Sequence, residues 1–364
     1  MRKGILAVAT VGVVAVGGMA ACSKSSSPPA SGSSTSAKQP YVGVILPDSK
    51  SSVRWETADR PFLEQAFKAA GVKYDIQNAQ GDKNQYQTIG DQMIQEGVNV
   101  LMAVDLDAGS GSAVLKKAKA AGVATIDYDR LTLGGGADYY VSFDAVAVGK
   151  LQGEGLQKCL TDAKASKPKV AEVNGSPTDN NATLFAQGYN SVLDPLYTAG
   201  TYVKGPNKSV PDWNNTQAGT IFEQMLTSDP TIKGVLVAND GMANSVIAIL
   251  KKNHLQLPVT GQDATVQGLQ HILDGDQCMT VYKAVKKEAT AASDLAVALA
   301  KGSNPSTSAT TKDTTLNRDV PSVLETPVAI YKDNVKDVVA DGYVTKADLC
   351  TGAYAAKCTA AGIS

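Results

Sequence analysis

The chain has 364 residues and a net charge of −1; 43% of its residues are hydrophobic, 19% are charged and only two are histidines. That balance leaves no basic surface for nucleic acid, and His254 and His271 stand too far apart in sequence to form a local metal motif. The length calls for two domains rather than one. At the amino terminus Arg2 and Lys3 precede an apolar run from Ile5 to Val16, and Met19-Ala20-Ala21-Cys22 follows. This order reads as a signal peptide over residues 1–21, with Cys22 as the lipidated first residue of the mature chain. The alternative, a transmembrane anchor with an incidental cysteine, is disfavoured because the run is shorter than the about 20 residues that span a bilayer. Residues 22–40 are almost entirely Ser, Pro, Gly, Ala, Thr, Lys and Gln, a composition with too little apolar surface to offset the entropy of ordering. They read as a flexible lipidated tether.

From Tyr41 onward one pattern repeats. Short β-branched runs, Tyr41–Pro47, Val72–Gln77, Val98–Val104, Val123–Tyr128 and Tyr139–Phe143, alternate with helical stretches Arg54–Ala70, Gln85–Glu96 and Ser112–Ala121. Gly71, Gly97 and Gly122 stand where these helices should end. A second round follows with strands at Lys169–Val173, Tyr202–Lys204, Gly234–Ala238, Val259–Gly261 and Met279–Tyr282. Its helices are expected near Ala182–Leu193, Thr216–Leu226, Ala243–Lys252 and Val266–Leu273, and one more over Val285–Lys301. Strands alternating with helices imply an α/β fold of two doubly wound parallel-sheet lobes.

In open α/β sheets ligands bind beyond the carboxyl ends of strands. The residues after each strand are therefore the candidates: Lys50, Arg54 and Trp55, then Asp107, then Asp129 and Arg130. The second round supplies Asp179, Asn181, Trp213, Asn239, Asp263 and Lys283. Planar Asp, Asn and Arg groups bond adjacent hydroxyls at fixed spacing, and an indole covers the C–H face of a pyranose. Acids and bases are balanced, which suits a neutral ligand, and no Gly-rich phosphate loop is present. Each residue also has a structural alternative. Arg54 and Trp55 could begin a helix, Asp179 and Asn181 could cap the Ala182 helix, Asp107 could cap the Ser112 helix, and Asp240 is the expected cap where Asn239 faces the ligand. Lys50 reads as rim, and Asp107 and Asp129 as rim or support.

These segments resemble the periplasmic sugar-binding proteins of ABC importers, in the xylose and multiple-monosaccharide group. The matching stretches are Arg54-Trp55, Tyr128-Asp129-Arg130, Ser142-Phe143-Asp144, Gly175–Ala182, Ala238-Asn239-Asp240, Gly261–Ala264, Thr280–Lys283 and Asp319–Ser322, in order across the body. The resemblance implies sugar contacts at Arg54, Arg130, Asp179, Asn181, Trp213, Asn239, Asp263 and Lys283, with Trp55 stacking on the ligand. It further implies a type I fold with a three-stranded hinge near Phe143-Asp144, Tyr282-Lys283 and Gly302 to Lys312. One lobe would then hold 41–143 plus 284–302 and the other 144–283 plus 303–349, with 350–364 a cysteine-bearing tail beyond the core.

The implied function is capture of a small neutral monosaccharide, D-xylose first, by a monomer that delivers it to the permease of an ABC importer. It needs neither cofactor nor metal, and touches the membrane only through its lipid, at the outer face of the cytoplasmic membrane or in the periplasm. A broader glucose, galactose or arabinose receptor with a sensory role is the alternative. A repressor effector domain would need a helix-turn-helix before Tyr41, where the leader stands. A glycosidase using Asp179 and Asp263 would lack a general acid beside the neighbouring cations.

Without Cys22, four cysteines remain and allow three pairings. Cys350 and Cys358 close a local loop. Cys159 ends the first helix after the chain enters the second lobe, and Cys278 begins that lobe's last strand. That helix should pack against that strand, so a Cys159–Cys278 bridge is expected, against the alternative of two buried thiols.

Overall fold

The structure is a computed structural model that describes residues 39–363. The expected leader, Cys22 and all but the last two residues of the tether lie outside these. The first round forms β1 (Tyr41–Leu46), α1 (Arg60–Ala70), β2 (Lys73–Asn78), α2 (Lys83–Glu96), β3 (Val100–Ala103), α3 (Ala108–Ala120), β4 (Ala124–Tyr128) and β5 (Tyr139–Phe143). The second forms α4 (Ala145–Asp162), β6 (Lys169–Asn174), α5 (Asn180–Thr198), β7 (Val203–Ser209), α6 (Asn215–Ser228), β8 (Ile232–Val237), α7 (Asp240–Lys252), α8 (Val266–Asp274) and β9 (Thr280–Tyr282). The chain then runs through α9 (Val285–Ala300), β10 (Ala309–Asp313), β11 (Arg318–Glu325), β12 (Val328–Ile330), α10 (Val335–Ala340), α11 (Lys346–Leu349) and α12 (Tyr354–Ala360).

The first sheet has seven strands in the order β10-β11-β5-β4-β3-β1-β2, parallel except for β10 on β11. It is buried on both faces, as a parallel sheet requires. Val42, Val44 and Leu46 of β1 pack with Leu63 and Phe67 of α1 and with Ala292 and Ala296 of α9. Tyr41 and Ile45 of the same strand meet Tyr86, Ile89 and Met93 of α2 and Val114 and Leu115 of α3 on the other side. In the second sheet β7, β6 and β8 are parallel neighbours. Single bridges, Val235 to Val259 and Gln262 to Val281, carry it on to β9, where β12 closes the edge antiparallel. Helices α4 and α5 share a core with this sheet and pack on each other at very short range. A Cβ on Gly149 would lie 2.0 Å from the Phe185 carbonyl oxygen, and one on Gly188 2.2 Å from that of Val146.

Several expectations are corrected. The segment assigned to 303–349 of the second lobe is divided, because β11 pairs in parallel with β5 from Ser322–Tyr140 to Glu325–Phe143. The third passage between the sheets is therefore the turn between Glu325 and Val328, not Gly302 to Lys312. The helix expected over Arg54–Ala70 opens with a π-helical turn, Trp55–Asp59, before α1. Val259–Gly261 makes one bridge rather than a strand. The tail is not peripheral: Cys358 and Ile363 are buried with Leu269, Ile272 and Leu273 of α8. Cys350 is bonded to Cys358, and Cys159, on α4, to Cys278, just before β9.

Candidate functional site

The carboxyl ends of both sheets converge on one cavity, where ligands of open α/β sheets bind. Arg54, Trp55, Arg130, Asp179, Asn181, Trp213, Asn239, Asp263 and Lys283 all line it, and so does Asp129. Each of these side chains is buried. After β1 the Asp48 carboxylate accepts from the backbone N–H of Lys50 (2.6 Å) and Ser51 (2.5 Å). That turn brings residues 51–55 against the second sheet. There the Ser52 hydroxyl donates to Asp263 Oδ2 (2.9 Å), and Asn239 Nδ2 donates to the Ser51 carbonyl (3.2 Å).

Asp129, after β4, sits at the centre. Its backbone has φ +62°, an uncommon conformation for a residue other than glycine. Its carbonyl accepts from Tyr140 Oη (3.1 Å), Ser142 Oγ (2.7 Å) and Asn181 Nδ2 (2.9 Å). Its carboxylate faces Arg54 at 2.8 Å and Lys283 at 3.4 Å. Burial alone would push that carboxyl up, but Lys283, Arg54 and Arg130 outweigh it and hold it well below the usual carboxylate range. Lys283 also reaches Asp263 Oδ1 at 3.3 Å. One cation therefore joins a carboxylate beside the first sheet to one beside the second.

Arg54 is more committed than the sequence implies. Its Nε donates to Asp59 (2.8 Å), Nη1 to Asp129 (2.8 Å), and Nη2 to Asp59 and Glu288 (2.7 Å each). Four of the five guanidinium N–H groups are thus used, and one on Nη1 remains for the cavity. Burial pushes the Glu288 carboxyl well up despite Arg54. Trp55 carries Arg54 over its ring at 4.5 Å and Arg130 at 5.5 Å, a cation–π arrangement that fixes the indole. Arg130 donates to the Asp105 carbonyl (2.9 Å) and pairs with Asp179 Oδ2 (3.2 Å).

On the other wall Asp179 caps α5 through Oδ1, which accepts from the Asn181 N–H at 2.8 Å, while Oδ2 accepts from the Trp213 indole at 3.0 Å. Asp179 is thus both cap and wall, and Asn181 is not the cap. Trp213 has φ +53° and stands edge-to-face with Phe185, ring centroids 6.4 Å apart. Gly175 lies beneath it: any Cβ there would come within 2.1 Å of the indole, so the wall requires glycine.

The cap of α7 is Asn239 rather than Asp240: its Oδ1 accepts from the Met242 N–H (2.9 Å), while the residue also lines the cavity. Asp240 is fully buried and accepts from Gln277 Nε2 (2.8 Å), Thr280 Oγ1 (2.8 Å) and the Thr265 N–H (2.8 Å), clamping the loop that carries Asp263. Asp107 does not line the cavity: it caps α3, which starts at Ala108 rather than Ser112, and pairs with Lys83 at 2.9 Å. Lys50 lies outside the cavity at its rim, where its carbonyl accepts from Asn215 (2.8 Å). The sequence reading missed Ser51, Ser52, Phe185 and Gln262 in the lining, and Asp59 and Glu288 behind Arg54. Ser51 and Ser52 lie in the first strand-end loop, and Gln262 directly precedes Asp263, so adjacency could have found these three. Glu288 carries no such signal.

Among the described residues no helix is long and apolar enough to cross a membrane. A family model described as a periplasmic binding protein domain matches residues 42–304. The D-xylose-binding periplasmic protein of Escherichia coli (strain K12) is 33% identical over 320 residues, covering 86% of this chain and 93% of that protein. The multiple sugar-binding periplasmic receptor ChvE of Rhizobium radiobacter is 33% identical over 325 residues, 84% of this chain and 91% of that one. Among solved structures, an ABC transporter solute-binding protein from Clostridium phytofermentans with bound beta-D-glucose superposes with a TM-score of 0.78 at 30% identity, covering 85% of this chain and 99% of that one. With the two-sheet architecture and the cleft between them, these matches place the chain in a known family: it belongs to the periplasmic binding proteins of type I, in their sugar-binding group.

Proposed function

We propose that this protein is a receptor without catalytic activity that captures a neutral monosaccharide, D-xylose first, and delivers it to an ABC-type importer. The observation that carries the reading is the cavity's make-up. Two indoles and the phenyl ring of Phe185 offer apolar faces, amides and carboxylates offer planar hydrogen-bonding edges, and every cation is already matched by a carboxylate. Such a lining bonds hydroxyls and gains nothing from a ligand charge. Asp263 pairs with Lys283 and Asp179 with Arg130, so the two carboxylates that a glycosidase would need are each engaged by a cation. The names of the relatives favour xylose or several monosaccharides, and the equal identity to the two receptors keeps the broader range as a second reading. Cys22 is proposed as the lipid attachment that keeps a monomer near the membrane, and the three passages at 143–144, 283–284 and 325–328 as the hinge.

Trp55 and Trp213 are the chain's only tryptophans, so tryptophan fluorescence, excited selectively over tyrosine, reports this site alone. Titration with D-xylose, D-glucose, D-galactose, L-arabinose and D-ribose should give a saturable change for at least D-xylose. A saturable change with hexoses but none with xylose would replace the first choice by the second reading.

A further inference from the structure

Gln262 precedes the loop that carries Asp263 and lines the cavity, yet nothing above gives it a role. It is 3% exposed, and its Nε2 donates to the Ala238 carbonyl at 3.1 Å. That bond fixes the amide: turned over, Oε1 would face the carbonyl oxygen, acceptor against acceptor. Gln262 Oε1 has no hydrogen-bond partner among the described residues, and neither does the neighbouring Asp263 Oδ1, which has only its ion pair with Lys283. Buried acceptors are paired in nearly all folded proteins, because an unpaired one forfeits its hydration without return.

We propose that Gln262 is a specificity-determining residue whose side-chain carbonyl accepts a hydrogen bond from one hydroxyl of the bound sugar. Because the side-chain carbonyl oxygen can only accept, it selects for a hydroxyl that donates at that position. A deoxy, O-methyl or fluoro analogue there leaves the carbonyl unpaired and is rejected. Asp240 and Ala238 hold the residue in place: the Asp240 N–H donates to the Gln262 carbonyl (3.0 Å), and Ala238 anchors the amide.

The inference rests on the reading of the cleft as a monosaccharide site, and one experiment separates the two. Calorimetric affinities are measured for D-xylose and D-glucose, each with its monodeoxy analogues, with the parent protein and with Gln262→Met, which keeps the side chain's length and removes the acceptor. For whichever sugar it binds, the parent should bind one analogue about tenfold or more weaker than the unmodified sugar. In Gln262→Met that single penalty should fall to about twofold or less, on the same scale, while the penalties for the other analogues persist. Gln262→Asn, which withdraws the carbonyl by one methylene, should give the same pattern and serves if the Met variant does not fold. Unchanged penalties at every position, as for an Oε1 paired only with water, would overturn the assignment alone. No binding of any sugar by the parent would overturn the sugar-site reading and this assignment together.

Discussion

Replacing Lys283 by Met removes the cation shared by two buried carboxylates. At 3.4 Å from Asp129 and 3.3 Å from Asp263, each attraction is roughly 5 kcal/mol at an effective dielectric of about 20, before desolvation is counted. Removing one partner of a buried pair costs about 3–5 kcal/mol because the other charge stays buried. Asp129 keeps Arg54 at 2.8 Å, whereas Asp263 keeps only the Ser52 hydroxyl at 2.9 Å. The loss therefore falls mainly on Asp263 and sits near the lower end, about 3 kcal/mol. For a body of this size that lowers the melting temperature by roughly 3–6 °C at pH 7. The acid side follows from Asp129, whose carboxyl is held low in the folded state. Its contribution is present above the unfolded carboxylate value and is lost only as pH falls through the depressed folded value. Without Lys283 that loss begins at higher pH. Sugar binding should weaken by roughly 10- to 150-fold, the range for a hydrogen bond from a charged donor. Scanning calorimetry from pH 3 to 8, with Lys283→Arg as the charge-conserving control, checks both limbs. A Lys283→Met protein that melts with the parent and keeps its acid limb would refute the claim that this cation holds the two carboxylates.

Trp213→Ala should weaken every bound sugar by a similar factor, since the indole offers a face rather than a directed bond; a loss confined to one sugar contradicts this. Burial pushes the Asp127 and Asp240 carboxyls up to about 7 each. A folded value raised above the unfolded one means stability falls as pH rises from about 4 to about 7. The melting temperature should accordingly be higher at pH 5 than at pH 8, and a flat or rising profile refutes the assignment. Cys22→Ser should move the protein from the membrane to the soluble fraction of its host with sugar affinity intact; retention at the membrane contradicts lipid attachment at Cys22. Small-angle scattering should show a smaller radius of gyration with saturating sugar than without, because partners for the ligand stand beside both sheets. An unchanged radius contradicts closure.

The α/β alternation was legible because each buried strand is a β-branched run and each helix repeats apolar residues at helical spacing. The cavity lining was legible for a geometric reason: strand ends of parallel sheets converge, so residues after β1, β4, β6 and β8 and around β9 meet wherever the sheets face each other. What escaped depends on distant pairing. The β10–β11 hairpin is polar and half exposed, and its place is set by Ser322 meeting Tyr140, which no local pattern announces. Asp59 and Glu288 look like solvated helix residues until Arg54 is seen against them, Glu288 from 234 positions away. Because these carboxylates take up the guanidinium, Arg54 offers the cavity a single N–H rather than the fork its position suggested. The cap of α7 falls to Asn239 rather than Asp240 because a carboxylate that accepts from Gln277, Thr280 and Thr265 cannot also turn to cap its own helix.

The central claim is that the cavity between the two sheets binds one neutral monosaccharide. Isothermal titration calorimetry of the protein with D-xylose tests it most directly, with Asp263→Ala run in parallel. The account predicts saturable binding at one sugar per chain, weakened by roughly fivefold or more in the variant through the partner group left unpaired. No saturable heat from D-xylose or any other neutral monosaccharide with a folded parent protein, or equal affinity in Asp263→Ala, would contradict it.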